Sequence, residues 1–442
     1  MTYALEQLGT LGSTMQIGEP EQAAACAAIL DLITAAIAAP PTQITGALRS
    51  VYGPGPAALW LTGERASVSA AGFHNALIGA RLDLDDGHRK ARGHPGAAVI
   101  PAVFAEADRL AAEGQAVSDP AMLRAIVVGY ELGLRIAAAR GFYARTGFWA
   151  GFAAAAGAGA LRKLPARALA HALAIGGETG PHMATTTAPP AWPQPLGSDV
   201  KEGIPWGVVT GIAAAALAEA GMTGPLDLVD HAPFFDKAAV LAARPSAAIA
   251  EAYTKFYAAC RHCHAPVDAF LEVVAGNDIA LEQIDTIHVG ANSGALRISN
   301  NPAPRNLIEA QYSIPYCLGL VAVDGAEALL PMTEASLGNA AAEAVARKVS
   351  LSIEPDCEAR FPAKTVVRVS VAAGGHTYTS ETTSPRGEAS QPPSWDERLE
   401  KFEVATASRL GRGARGQWRE AFGQLRDGRL GAVRQLLEQR PD

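Results

Sequence analysis

The chain has 442 residues, a net charge of −7, 49% hydrophobic residues and only 6% aromatics. It is long enough for a large buried core, suggests two domains, and must fill that core with small and aliphatic side chains. The mild acidic excess gives no pull toward nucleic acid or anionic membrane. Five cysteines fit a reducing compartment better than a disulfide framework, so a cytoplasmic protein is expected.

In chain order, the apolar run AAACAAILDLITAAIAA (23–39) comes first. Asp31 interrupts it and no Lys or Arg precedes it, so it reads as an amphipathic helix rather than a signal or membrane span. From residue 20 to 255 the pattern is helix after helix. AAGFHNALIGARLDLDD, PAVFAEADRLAAEG, AMLRAIVVGYELGLRIAAA and GVVTGIAAAALAEAG all space their apolar residues helically. Abundant Ala and Gly allow close helix approach, which predicts a tight bundle.

The segment LDLDDGHRKARGHPG (82–96) concentrates ionisable groups between two such helices. One helix is expected to end near Asp86, with Gly87 as a left-handed C′ residue, and the next to start at His94-Pro95-Gly96. His94 at a helix N-terminus is expected to stay neutral and act as a base or hydrogen-bond partner. The free N–H groups there suit a substrate carboxylate. Asp83 is placed to orient or charge-balance a neighbour.

The texture changes near residue 258. IDTIHVGA (284–291) alternates as a strand, and TVVRVSVAAGGHTYTSETT (365–383) reads as two strands about an Ala-Ala-Gly-Gly turn. Helical VDAFLEVVAG and GNAAAEAVARKV lie between, giving an α+β module. SPRGEASQPPSW is a linker, and the Arg-rich helical tail after it packs back on the first module with a solvated face. CRHCH (260–264) matches a haem-attachment spacing and is dense in zinc ligands. Haem attachment needs export, and zinc needs four convergent ligands, so Cys260 and Cys263 read as buried small residues and His264 as a site candidate. His88 and His94 lack a zincin spacing, His171 reads as structural, and His182 is a further cleft candidate. No dinucleotide or phosphate-loop fingerprint occurs.

The stretch HNALIGARLDLDDGHRKARGHPGAAVIPAVFAEAD resembles the signature of the MmgE/PrpD family, which includes 2-methylcitrate dehydratase, cis-aconitate decarboxylase and iminodisuccinate epimerase. GFYARTGFWAGFAAAAGAGALRKL, GVVTGIAAAALAEAGMTGPLDLVD, KFYAACRHCHAPVDAF, EAQYSIPYCLGLVAVDG and SPRGEASQPPSWDERLEKF resemble further family motifs in the family's order. The resemblance implies a mainly α fold. A large all-α domain (1–258 and 385–442) is completed by the C-terminus, a smaller α+β domain spans 259–384, and the active site lies in the cleft between. It also implies a homodimer without organic cofactor or metal. By the same resemblance Asp83, His94, Lys201, His264 and Tyr316 are active-site residues, the spacing around Lys201 being one residue shorter here. Two positions depart from the family: Gly87 stands where Thr is frequent, and Tyr143 replaces a histidine.

All the named reactions form an enolate-like species next to a carboxylate, which needs a base, an acid and groups that hold carboxylates. Lys201, the helix terminus at His94 and Arg297 or Arg305 are the expected holders. Tyr143 is a poor base at pH 7 and a competent proton donor. The expected function is therefore epimerisation of a small di- or polycarboxylic acid, of the iminodisuccinate type, with Tyr143 opposed to Lys201 or His94. A dehydratase of the 2-methylcitrate type, a decarboxylase, and an inactive small-anion binder are the alternatives.

Overall fold

A computed structural model describes residues 2–182, 199–231 and 233–441. It is mainly helical, with a smaller α+β part. The main helices of the first part are α1 (Glu19–Ala38), α2 (Val68–Ala80), α3 (Pro95–Ala112), α4 (Asp119–Ala138), α5 (Thr146–Leu161), α6 (Ala166–Glu178) and α7 (Ile204–Glu219). Helix α5, TGFWAGFAAAAGAGAL, is the hub, packed against α3, α4, α6 and α7. Its small residues make this possible. A Cβ on Gly211 of α7 would lie 2.5 Å from the Ala154 Cβ and 2.6 Å from the Gly151 carbonyl oxygen. Only glycine lets the two helices approach so closely, and larger residues would force them apart.

Helix α1 departs from the amphipathic expectation. Every residue from Ile29 to Ala38 is buried, so the helix is enclosed on all sides rather than along one stripe. It is the one described helix long and apolar enough to cross a membrane, and other helices cover it. Its interrupting Asp31 is buried and tolerated because Lys401 Nζ lies 2.7 Å from its Oδ1. Lys401 belongs to α10 (Trp395–Thr406), which with α11 (Arg412–Arg426) packs onto α1. Trp418, Phe422 and Leu425 give α11 its buried face, and its arginines lie on the other.

The α+β part contains α8 (Arg261–Gly276), α9 (Ile314–Asp324) and a four-stranded sheet. Its strands are β1 (Ile284–Ala291), β2 (Val349–Ile353), β3 (Arg368–Ala373) and β4 (His376–Thr379), in the order β2-β1-β3-β4. β1 runs parallel to β2 and antiparallel to β3, and α8 packs on β3. β3 and β4 form the hairpin expected from the sequence. Gly374 and Gly375 take positive φ values of 57° and 80°, which the two-residue turn requires.

The segment after α2 also differs from expectation. The helix ends at Ala80, not near Asp86, and Gly87 is not left-handed. Asp83 takes that conformation instead, with φ 54°. Gly87 bridges to Tyr253 through paired backbone hydrogen bonds of 3.0 and 2.8 Å, and any Cβ there would strike the Tyr253 ring. Two buried lysines bind the freed carbonyls: Lys255 donates to Asp83 O at 2.6 Å and Lys401 to Leu84 O at 3.0 Å. A loop so tied has no free backbone groups with which to extend the helix.

Lys401 thus links the C-terminal segment to the 82–96 loop. Removing one partner of a buried pair strands the other, so Lys401→Met is expected to destabilise by about 3–5 kcal/mol in urea denaturation. The Asp31→Leu/Lys401→Met double variant should recover most of that loss.

Candidate active site

The 81–94 loop, the N-terminus of α3 and the start of α8 converge on a cavity of about 360 Å³. That volume suits a small ligand. The helical part contributes Asp83, Arg92, His94, Tyr143 and Glu202 to its wall. The segment leading into α8, with the α+β part, contributes Lys255, His262, Arg297 and Tyr312.

Asp83 is the centre. Its Oδ1 lies 2.6 Å from Lys201 Nζ, 3.2 Å from Lys255 Nζ and 3.2 Å from His94 Nε2. Burial alone would raise its pKa, but the two ammonium groups and His94 hold it well below the usual carboxylate range. Burial likewise disfavours a charged Lys201, yet Asp83 and then Glu202 outweigh this and raise its pKa.

His94 caps α3 as expected, with Pro95 at the first helical position. Its charge state is the reverse of the expectation. Nδ1 lies 3.2 Å from Asp85 Oδ2 and 3.2 Å from the Asp86 carbonyl, while Nε2 faces Asp83. Burial pushes the imidazolium toward neutrality, but Asp85 and Asp83 overcome it and bring the pKa to about 9. A helix terminus contributes roughly 0.3–1 kcal/mol against the charge, less than two flanking carboxylates contribute for it. His94 is therefore an acid at pH 7.

The pair Lys201–Asp83 joins two left-handed residues. Lys201, Glu202 and Gly203 have φ values of 39°, 58° and 77° in succession. A non-glycine residue in this region costs about 1–2 kcal/mol. The ion pair and the Glu202 contacts hold the backbone there. Glu202 Oε2 accepts from Thr146 Oγ1 at 2.7 Å and Thr146 N at 3.2 Å, and Oε1 accepts from the Tyr312 hydroxyl at 3.3 Å. Burial raises its pKa, but His94, Lys201 and Thr146 bring it down to about 2.

The structure brings Asp83, His94, Lys201 and Tyr143 to this region, but Lys201 stands behind Asp83 while Lys255 reaches the wall. Tyr143 lines the cavity beneath Arg92, whose guanidinium is 5.5 Å from the ring centre. Burial, with Glu202 nearby, raises its pKa and keeps it a neutral phenol. His264 is 1% exposed and off the wall, its Nε2 3.2 Å from Ala259 O. Burial and then Arg261 keep it neutral. Tyr316 does not reach the cavity: it is fully buried in α9 and donates to Ser336 O. His182 is exposed and bonds Glu178 O at 3.2 Å.

Sequence reasoning missed Lys255, Glu202, His262 and Tyr312. Lys255 left a signal as a lone cation in the apolar run AYTKFYAAC, since a buried lysine demands a partner. Cys260 also lines the cavity instead of lying wholly in the core.

For carboxylates, the available holders are Arg92 and Arg297, neither in a direct ion pair among the described residues, although Arg297 is linked to Glu358 through the Ser293 hydroxyl. Arg89 and Arg261 both pair with Glu388. Arg305 pairs with Glu309 and is not on the wall. Asp83, Asp85 and His94 are near enough together to hold a metal. A divalent ion there would meet the two ammonium groups already on Asp83, so the donor set fits poorly.

Residues 14–245 match the MmgE/PrpD N-terminal domain, and residues 257–426 match the MmgE/PrpD C-terminal domain. Over 74 residues, 17% of this chain and 15% of the relative, the sequence is 36% identical to a cis-aconitate decarboxylase of Aspergillus terreus. The same figures hold for that of Aspergillus terreus strain NIH 2624 / FGSC A1156.

The raised His94 pKa has a definite sign for stability. The charged form is favoured in the folded protein, by roughly 3 kcal/mol. This stabilisation is fully present below pH 6.5 and is lost as the pH rises through about 9. His94→Gln is expected to flatten the fall in unfolding free energy across that interval, measured by urea titration at successive pH values.

Proposed function

The chain belongs to the MmgE/PrpD family, and from that premise we propose that it is an epimerase. In this reading it removes and returns a proton at the carbon α to a carboxylate of a small di- or polycarboxylic acid, using its own side chains. One observation carries it. Three histidines, His88, His94 and His262, line the cavity, and the surroundings of His94 and His262 drive their charge states apart, while His88 is kept neutral by burial against its bond to Glu251. His94 is held protonated, with a pKa of about 9, and His262 is held neutral, at about 4, by burial and then by Arg89 and Arg297. An epimerase needs one group that takes the α-proton and another that delivers one to the opposite face. Separated pKa values mark such an acid and base.

His94 comes from the helical part and His262 from α8 of the α+β part. With Arg92 and Arg297 holding the carboxylates, a nitrogen of His262 accepts the α-proton. The electron pair passes into the carboxylate to give an enolate, whose added charge faces Lys255. His94 Nε2 then donates its proton to the other face, and exchange with solvent resets both rings. The pairing expected from the sequence was Tyr143 with Lys201 or His94; this reading keeps His94 and puts His262 in place of Tyr143, since Tyr143 and Lys201 both keep their protons and Lys201 stands off the wall.

The local likeness to cis-aconitate decarboxylase favours a second reading, lyase chemistry at the same site. There the carbanion arises by loss of carbon dioxide, and only the acid His94 is required.

Proton NMR in D₂O with iminodisuccinate, 2-methylcitrate, citrate and cis-aconitate separates these readings. Epimerisation gives α-deuteration without net conversion; a lyase changes the vinyl signals or releases carbon dioxide; no reaction with any of them removes the enzyme reading. For the epimerase, kcat/KM should be bell-shaped, falling below about pH 4 and above about pH 9. His262→Ala should lower it by roughly 10²-fold or more, the usual share of a general base. A rate insensitive to that change points to decarboxylation.

A further inference from the structure

Tyr253 lines the cavity. Its backbone is hydrogen-bonded to Gly87, but among the described residues its hydroxyl has no hydrogen-bond partner. The ring is nevertheless held firmly. The Arg261 guanidinium lies 4.4 Å from the ring centre and that of Arg89 5.9 Å, and Glu388 pairs with both arginines. The hydroxyl end of the ring fills the space that a side chain at position 87 would need. A Cβ on Gly87 would lie 2.3 Å from the hydroxyl oxygen and 2.4 Å from the carbon that bears it. Glycine there is what leaves room for the phenol. The antiparallel bridge to Gly87 also sets the direction of the neighbouring side chains. Tyr253 and Lys255 reach the cavity wall, while Thr254 between them turns to Arg398. Alternation along an extended chain thus puts the phenol on the same face as the ammonium group.

Burial raises the pKa of this phenol against the pull of Arg261 and then Arg89, so it keeps its proton at pH 7. A rigid neutral O–H on a cavity wall is a donor for an oxygen that gains charge. We propose that Tyr253 is a further substrate-contacting residue, whose hydroxyl donates to the carboxylate oxygen that becomes the enolate oxygen, the same charge that Lys255 faces. The phenol keeps its proton throughout. As the α-proton leaves, the electron pair moves to that oxygen and the hydrogen bond from Tyr253 strengthens; no bond to the phenol forms or breaks. This inference rests on the α-proton-transfer reading above. It adds to that reading a donor that binds the transition state more tightly than the bound acid.

The test removes one oxygen atom. Tyr253→Phe keeps the ring against its two guanidiniums and loses only the O–H. It is compared with the wild type in α-proton exchange by NMR in D₂O on iminodisuccinate, 2-methylcitrate, citrate and cis-aconitate, with near-UV circular dichroism to check folding. On each compound that the wild type exchanges, Tyr253→Phe should lower kcat by roughly 10²-fold and leave KM within roughly threefold, as loss of one oxyanion donor does. A ring needed only for packing would leave kcat unchanged in this variant. The swap Gly87→Ser/Tyr253→Ala returns a hydroxyl from the other side of the same contact. It should exchange roughly tenfold faster than Tyr253→Ala, and it decides the matter if Tyr253→Phe misfolds. An unchanged kcat in Tyr253→Phe, or a loss confined to KM, overturns the role of Tyr253 and leaves the proton-transfer reading intact. Where only the swap can be measured, equal rates for it and Tyr253→Ala overturn the role in the same way. If the wild type exchanges none of the four compounds, the proton-transfer reading falls and this role falls with it.

Discussion

The site depends on one carboxylate. Asp83 draws together Lys201, Lys255 and His94, groups distant in sequence and carried on different elements. None of the four could be buried alone: an isolated charge in a protein interior is far too costly, and each would shift its pKa and neutralise. Together they satisfy one another. The left-handed backbone at Asp83 and Lys201 is held by the same contacts. The cluster therefore sets the loop conformation as well as the chemistry, and the neutral His94 expected from the helix terminus gives way to a charged one.

A second layer of buried charge supports the first. Asp86 accepts from the Tyr130 hydroxyl at 2.7 Å and from Gly96 N at 2.8 Å, anchoring the loop to the start of α3 and to α4. Burial, and then Asp31 nearby, lifts the Asp86 pKa to about 7. Lys401 bridges Asp31 and the Leu84 carbonyl, so the returning C-terminal segment fixes the depth of the loop. Arg398, from the same helix, donates to Thr254 Oγ1 at 2.7 Å, next to Lys255. Helix α10 thus braces both stretches of chain that meet at Asp83. Their energetic value lies in specifying one loop geometry, since apolar residues of similar size would stabilise a core as well.

Long periodic segments were legible: helices α3, α4, α7 and α8, strand β1 and the β3–β4 hairpin follow directly from apolar spacing and turn glycines. The loop end of α2 was not. Nothing in LDLDDG shows that distant lysines will take its carbonyls, and helix propensity alone carries the reading on to Asp86. The site was legible where a local signal existed, at His94-Pro95 and Asp83. It failed where two similar residues competed. His262 and His264 are two apart on α8, hence on nearly opposite faces, and spacing cannot say which face meets the cavity. Tyr312 and Tyr316 also competed, and there the difference is that only Tyr316 lies within α9. Tyr316 shares the buried apolar face of α9, whereas Tyr312 precedes its cap Ser313 and is free to point toward Glu202.

The charge balance of the cavity is what supports the proposal of an acidic ligand. Two lysines and a protonated histidine surround Asp83, and Arg92 and Arg297 stand beside them without a direct ion pair among the described residues. The wall is left with positive charge that a dianionic ligand would neutralise. Proton removal next to a carboxylate then adds negative charge where these cations already point. The buried lysines and His94 are fixed by the fold, so in the proton-transfer reading little reorganisation on their part would oppose the reaction, and stabilisation would grow as the enolate forms. The same fixed field protonates His94 before any ligand arrives. Under the proposed proton-transfer reading, one arrangement of charge would serve binding, stabilisation of the intermediate and delivery of the returning proton.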